Sequence, residues 1–255
     1  MPYAENRGVR IYYEVEGEGP PLVLVHGFSE SLEGWREYGY AEELKKEHRL
    51  VLIDARGHGG SGKPHDPEAY GLKHRPADVV AVLDDLGIDR AHYFGYSLGG
   101  WVGFGLAKYA PERVHSLIIG GAQPYGQSME LYRQALAGGI EGWAAVVEKM
   151  LGSPLTPEAK ERLLSNDVQA LSASVADDRP DISGMLPTAT MPSLLYAGEA
   201  DPLRPLVERC ASELPNGRFF SLPGVNHIQG AVRSDLVLPQ VVEFLAKTEV
   251  TLSIS

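Results

Sequence analysis

Gly95-Tyr96-Ser97-Leu98-Gly99 stands between the apolar run Ala91-His92-Tyr93-Phe94 and the small, apolar stretch Gly100-Trp101-Val102-Gly103-Phe104-Gly105-Leu106-Ala107. The order reads as strand, sharp turn, helix. A serine at the centre of such a turn is held out above the sheet edge, and the flanking glycines leave room where side chains would clash. The helix that opens there adds free N–H groups and a partial positive charge, which suits a place where a substrate oxygen becomes negative. An ordinary Gly/Ser turn has the same local spelling, so the rest of the chain decides between the two.

Upstream, Leu22-Val23-Leu24-Val25 and Arg49 to Ile53 are short, unbroken apolar runs of the kind that form parallel strands covered on both faces. Val9, Ile11, Tyr13 and Val15 alternate with polar residues, as in a half-exposed strand near a sheet edge. Helical patterns fall at Ser31 to Lys46 and Lys73 to Leu86, and downstream the turn helix stops at Ala110-Pro111 before a strand at His115 to Ile119. Alternation then ceases. Four helix-like segments follow in succession: Met129 to Ala137, Glu141 to Leu151, Pro157 to Leu164 and Val168 to Ala176. The sheet resumes at Ser193 to Ala197 and Arg218 to Leu222, with helices at about Pro205 to Leu214 and Ser234 to Lys247. The pattern predicts an α/β fold with a mostly parallel, doubly wound sheet. Residues 1–122 and 191–255 make its core, and residues 123–190 a helical cap inserted over one edge.

The loop Arg56-Gly57-His58-Gly59-Gly60-Ser61-Gly62-Lys63-Pro64 mimics two nucleotide motifs. Neither is complete: a phosphate-binding loop needs Ser or Thr where Pro64 stands, and a dinucleotide fingerprint needs a helix to open where His65-Asp66-Pro67 continues as loop. No cofactor is expected. The 255 residues suffice to bury roughly 70–75% of the unfolded surface. A formal charge of -11, spread along the chain, repels nucleic acid and anionic membranes. The single cysteine, Cys210, excludes an intramolecular disulfide, and no apolar run is long enough for a membrane span or leader, so the expectation is a soluble cytoplasmic protein. His48, His65, His74, His92 and His115 lack metal-ligand spacing.

Two further polar residues follow strand ends: Asp201 in Gly198-Glu199-Ala200-Asp201-Pro202 and His227 in Pro223-Gly224-Val225-Asn226-His227. The carboxyl ends of parallel strands face one crevice, so Ser97, Asp201 and His227 should converge. The chain resembles the α/β-hydrolase superfamily over nearly its full length. The likeness rests on Gly95 to Gly99, His26-Gly27-Phe28, the loop Asp54-x-Arg56-Gly57-x-Gly59-x-Ser61, Gly198-x-x-Asp201 and Gly224-x-x-His227, in the family's order. It implies Ser97 as nucleophile, His227 as general base and then acid, and Asp201 as the group orienting the histidine, with Phe28 and Leu98 N–H groups as an oxyanion hole. The chemistry agrees, because a serine hydroxyl needs a base and imidazole titrates near ~6.5. Glu199 is the nearest rival for the acid role, whereas His26, His58, Asp54 and Arg56 are expected to tie loops together.

The resemblance implies a serine hydrolase, most simply a carboxylesterase for small to medium apolar esters. Lactonase, perhydrolase and carbon–carbon bond hydrolase activities use the same three residues. The last is disfavoured because those relatives resemble His-Gly-x-Gly where Ser29 stands here. Dehalogenase and epoxide hydrolase relatives carry aspartate at the position of Ser97. A non-catalytic small-ligand receptor on the same fold is the alternative from another class. Within the cap, Met129, Leu131, Tyr132, Leu136, Trp143, Val147 and Met150 are candidate pocket residues, although apolar residues at helical spacing more often form the core of the cap than the wall of a pocket; Met129, Tyr132, Trp143 and Met150 are the candidates to meet substrate.

Overall fold

A computed structural model of the chain describes residues 2–254, with side chains through residue 250. The strands are β1 (Tyr3–Asn6), β2 (Val9–Glu16), β3 (Pro21–Val25), β4 (Arg49–Ile53), β5 (Ala91–Tyr96), β6 (Val114–Gly120), β7 (Ser193–Gly198) and β8 (Gly217–Leu222). They form one sheet in the order β1-β2-β4-β3-β5-β6-β7-β8. Only β1 and β2 run antiparallel to their neighbours. The remaining pairings, from β4 to β8, are parallel.

Side chains alternate across the sheet, and this sorts the apolar runs into two cores. Leu22, Leu24, Leu50, Leu52, Phe94 and Ile118 point to one face, beneath α1 (Glu33–Glu37), α2 (Tyr40–Leu44) and the long C-terminal helix. Val23, Val25, Val51, Ile53, Tyr93 and Ile119 point to the other, against α3 (His74–Asp85), α4 (Leu98–Tyr109) and a helix after β7. Each such side chain contributes about 1.5–3 kcal/mol when fully buried. Between β6 and β7 lie α5 (Glu130–Ala137), α6 (Gly139–Leu151), α7 (Pro157–Leu164) and α8 (Val168–Ser174). Their Leu136, Trp143, Ala144, Leu163 and Leu171 are continuous with the second core. The chain closes with α9 (Arg204–Glu213), α10 (His227–Val232) and α11 (Ser234–Ile254).

Three elements differ from the sequence reading. The single helix expected over Ser31 to Lys46 is two helices, because Gly39 takes a left-handed φ of 83° and breaks the ladder between them. β1 is an additional edge strand that pairs with β2, and its four residues are too short to show periodicity. α11 runs on to Ile254, past Lys247. Cys210 is buried on α9. No helix among the described residues is long and apolar enough to cross a membrane.

The opposite, amino-terminal rim of the sheet carries a buried histidine. His92 opens onto Ser116, with Nδ1 2.7 Å from the hydroxyl, and its ring lies 5.4 Å from that of His115. Burial, with the neighbouring His115 and His48, pushes its imidazole down to about 3. The native protein therefore refuses a proton that the unfolded chain accepts near ~6.5. The contribution is complete above that value and falls as pH drops toward the folded value, by up to about 1.4 kcal/mol per pH unit. His92→Gln should flatten the acid limb of urea stability between about pH 6.5 and 4. An unchanged slope would exclude His92 as its source.

Candidate active site

Ser97 lies between β5 and α4 with φ 50° and ψ -104°, a conformation that costs a residue with a Cβ about 1–3 kcal/mol. The surroundings impose it. Ser97 N–H donates to Gly120 at 2.8 Å, its carbonyl accepts from Trp101 at 2.9 Å, and Gly99 N–H reaches the His26 carbonyl at 3.1 Å. α4 thus starts hard against the end of β3. A Cβ on Gly99 would stand 2.0 Å from the Val25 carbonyl oxygen, so the turn can close only without one. Gly99→Ala is expected to destabilise by about 1–3 kcal/mol or more, read as a lower Tm and less soluble protein.

Asp201 follows β7, and its Oδ1 accepts the Leu203 N–H at 2.8 Å, which fixes the carboxylate. His227 is the first residue of α10, whose start is set by a reciprocal pair of bonds between Asn226 and Gln229. His227 Nδ1 is 2.7 Å from Asp201 Oδ2, and Nε2 is 3.0 Å from Ser97 Oγ. A carboxylate only accepts, so Nδ1 carries the proton and Nε2 is left to accept from the serine hydroxyl. All three residues are buried. Tyr96 supports the histidine from below: its ring centroid lies 5.6 Å from the imidazole and its hydroxyl donates to the His227 carbonyl.

A family model for the alpha/beta hydrolase fold matches residues 20–189, about two thirds of the chain. The chain belongs to the α/β-hydrolase family. A putative carbamate hydrolase, RutD, from Azorhizobium caulinodans is 28% identical over 98% of this chain and 100% of its own length. A fluoroacetate dehalogenase from a Burkholderia species is 29% identical over 85% of this chain and 84% of its own. Among solved structures, the enol-lactonase from Burkholderia xenovorans LB400 superposes with a TM-score of 0.83 at 25% identity, over 96% of this chain and 100% of that one. These relatives differ in the bond named, so the cleavage chemistry of this α/β hydrolase must be argued from its own residues.

Ser97 and His227 open into a cavity of about 430 Å³. Phe28, Tyr132, Trp143, Val147 and Met150 supply apolar wall. Phe28 meets Tyr132 and Trp143 edge to face, each at 5.2 Å between ring centroids, and those two rings stack on one another. Met129 departs from the sequence expectation. It precedes α5, is buried in the core, and does not line this cavity; the Asp178 carboxylate accepting its N–H fixes it there. Leu131 faces solvent, and Leu136 is core. The N–H groups of Phe28 and Leu98 donate to no other described residue.

The remaining polar loop residues are tied to backbone or to one another's side chains. His26 Nε2 accepts from Ala55 at 3.1 Å, Asp54 accepts from Leu32 and Gly60 at 2.7 and 2.6 Å, and Arg56 pairs with Asp78. The glycine loop after β4 wraps Asp54, and the next α-helix is α3. Burial, and then the neighbouring His26, hold the His58 imidazole well below its usual range, and it packs on Phe28. Glu199 accepts from Gly224 at 3.2 Å and is exposed. Among the described residues no cluster of His, Cys, Asp or Glu could hold a metal ion.

Sequence reasoning missed Tyr96, Ser29 and the pairing of Glu30 with Arg162 on the cavity wall. Tyr96 was visible inside the pentapeptide, but its direction depends on sheet register. Ser29, at a φ of 61°, accepts the Trp143 indole N–H at 2.7 Å, while Asn166 donates to its carbonyl at 3.0 Å. Both contacts join positions more than 100 residues apart, and no local pattern marks them.

Proposed function

We propose that this α/β hydrolase is a serine hydrolase, most simply a carboxylesterase for small to medium apolar esters. Ser97 Oγ attacks the acyl carbon as His227 Nε2 takes its proton, and Asp201 offsets the imidazolium charge. The oxygen that becomes negative is held by the N–H groups of Leu98 and Phe28, each worth roughly 3–4 kcal/mol in the transition state. The alcohol leaves with the proton from His227, and water activated by the same imidazole releases the acid from Ser97. Residues 123–190 act as the lid and residues 1–122 and 191–255 as the core, with Tyr132, Trp143 and Met150 against the substrate.

The observation that carries this reading is the 3.0 Å approach of Ser97 Oγ to an imidazole whose other nitrogen is 2.7 Å from a buried carboxylate, at the wall of a cavity of about 430 Å³. That volume suits a small organic ester. Likeness to the enol-lactonase favours lactones as a second substrate class, opened by the same steps. Likeness to the putative carbamate hydrolase adds carbamates to the panel worth assaying.

Incubation with a fluorophosphonate followed by intact-mass measurement tests the proposal. A covalent adduct that Ser97→Ala abolishes supports it, and p-nitrophenyl esters of increasing chain length, set beside lactones and a carbamate, would rank the substrates. No adduct and no turnover would instead fit a receptor that only holds its ligand.

A further inference from the structure

Tyr96 precedes Ser97 in the chain, and its side chain reaches the main chain of His227. It ends β5 opposite Gly120 of β6, whose carbonyl accepts the Ser97 N–H at 2.8 Å, so the backbone that carries the phenol is fixed. The hydroxyl donates to the His227 carbonyl in the first turn of α10, and the ring lies 5.6 Å from the imidazole. Together with the 3.0 Å approach of His227 Nε2 to Ser97 Oγ, these contacts close a ring: Ser97 to Tyr96 through the peptide, Tyr96 to the His227 main chain, and the His227 side chain back to Ser97. Glycines leave the phenol no slack. A Cβ on Gly230, in the same helix as His227, would stand 2.6 Å from the Tyr96 hydroxyl oxygen, well inside van der Waals contact. One on Gly121 would stand 3.0 Å from that oxygen and 3.0 Å from His227 Cε1.

Resting on the hydrolase reading above, we infer that Tyr96 is a positioning residue for the reaction: its hydroxyl bolts the first turn of α10 to the nucleophile turn and so sets the distance between Ser97 Oγ and the base. Asp201 fixes the direction of the imidazole through Nδ1, whereas Tyr96 fixes where the main chain beneath it stands. A misplacement of about 1 Å between reacting groups costs on the order of 10² in rate, so a bond that holds this span acts on kcat. Burial, and then Asp201, hold the Tyr96 hydroxyl well above its usual range, so it remains a donor wherever the enzyme works. The ring itself lines the cavity, and phenylalanine would keep it there, leaving substrate binding as it was.

Tyr96→Phe, Gly230→Ala and the double variant test this with a p-nitrophenyl ester, rates being expressed per site that takes up fluorophosphonate so that misfolded protein is not counted. Tyr96→Phe should lower kcat by about 10- to 100-fold with KM little changed. Gly230→Ala should lower kcat by a similar factor although Tyr96 is intact, because its methyl displaces the hydroxyl; alanine is the better helix former, so α10 is not weakened. The double variant should be no slower than Tyr96→Phe alone, since the methyl then occupies the room the hydroxyl has left, 3.5 Å from Tyr96 Cζ. A native kcat in Tyr96→Phe, even with a lowered Tm, a defect confined to KM, or losses that multiply in the double variant would each overturn the positioning role. Any of these results alongside turnover by the native protein overturns that role alone; a native protein with neither turnover nor fluorophosphonate adduct removes the hydrolase reading with it.

Discussion

Ser97→Ala and His227→Ala are each expected to lower kcat for a p-nitrophenyl ester by about 10⁴ to 10⁶, and the double variant by scarcely more than either alone. In the proposed mechanism the two side chains, 3.0 Å apart, act as one proton-transfer unit, so losing either would disable the other. Removing Oγ also removes the atom that would carry the acyl group, and the residual rate then reflects only the N–H donors and substrate positioning. Ser97→Ala leaves the backbone bonds of the turn in place, so Tm should change little. Additive losses, or a Ser97→Ala variant that retains full activity, would refute the assignment.

Asp201→Asn should cost about 10⁴ in kcat with little change in KM. The argument follows from which oxygen does what. Oδ1 accepts from Leu203 N–H at 2.8 Å and Oδ2 faces His227 at 2.7 Å. An asparagine that keeps its oxygen on Leu203 turns its NH₂ toward the imidazole, and a donor there selects the tautomer with the proton on Nε2. That nitrogen can then no longer accept from Ser97. Glu199→Gln serves as the comparison, because Glu199 is exposed and contacts Gly224 rather than the histidine. Measuring kcat for both against Tm separates the chemical effect from a loss of folding. A larger defect in Glu199→Gln would transfer the acid role to that residue.

Much of the architecture could be read from local pattern because buried parallel strands are short unbroken apolar runs, as Leu22 to Val25 and Leu194 to Ala197 are. Ser97, Asp201 and His227 were legible for a related reason: each follows a strand at its carboxyl end, where the topology gathers residues distant in sequence. The helix break at Gly39 was hidden, since the apolar spacing of Trp35, Tyr40, Ala41 and Leu44 reads as one helix whether or not a glycine interrupts it. The role of Met129 stayed open for a similar reason. Helical spacing says that a face is buried, not whether it meets core or cavity, and that choice depends on how α5 and α6 pack. The meeting of Glu30 with Arg162 is likewise a matter of helix placement.

Under the proposed mechanism, Ser29 would link access to competence. Trp143 from α6 and Asn166 from the turn after α7 both grip this residue, next in sequence to the Phe28 whose amide is proposed to steady the reacting oxygen. A helical layer that lifted to admit a ligand would release that grip and let the amide wander. Hydrolytic readiness would then return only on closing, and with the layer raised an acyl group on Ser97 would react slowly with any nucleophile, because the donor to its oxygen would be out of place.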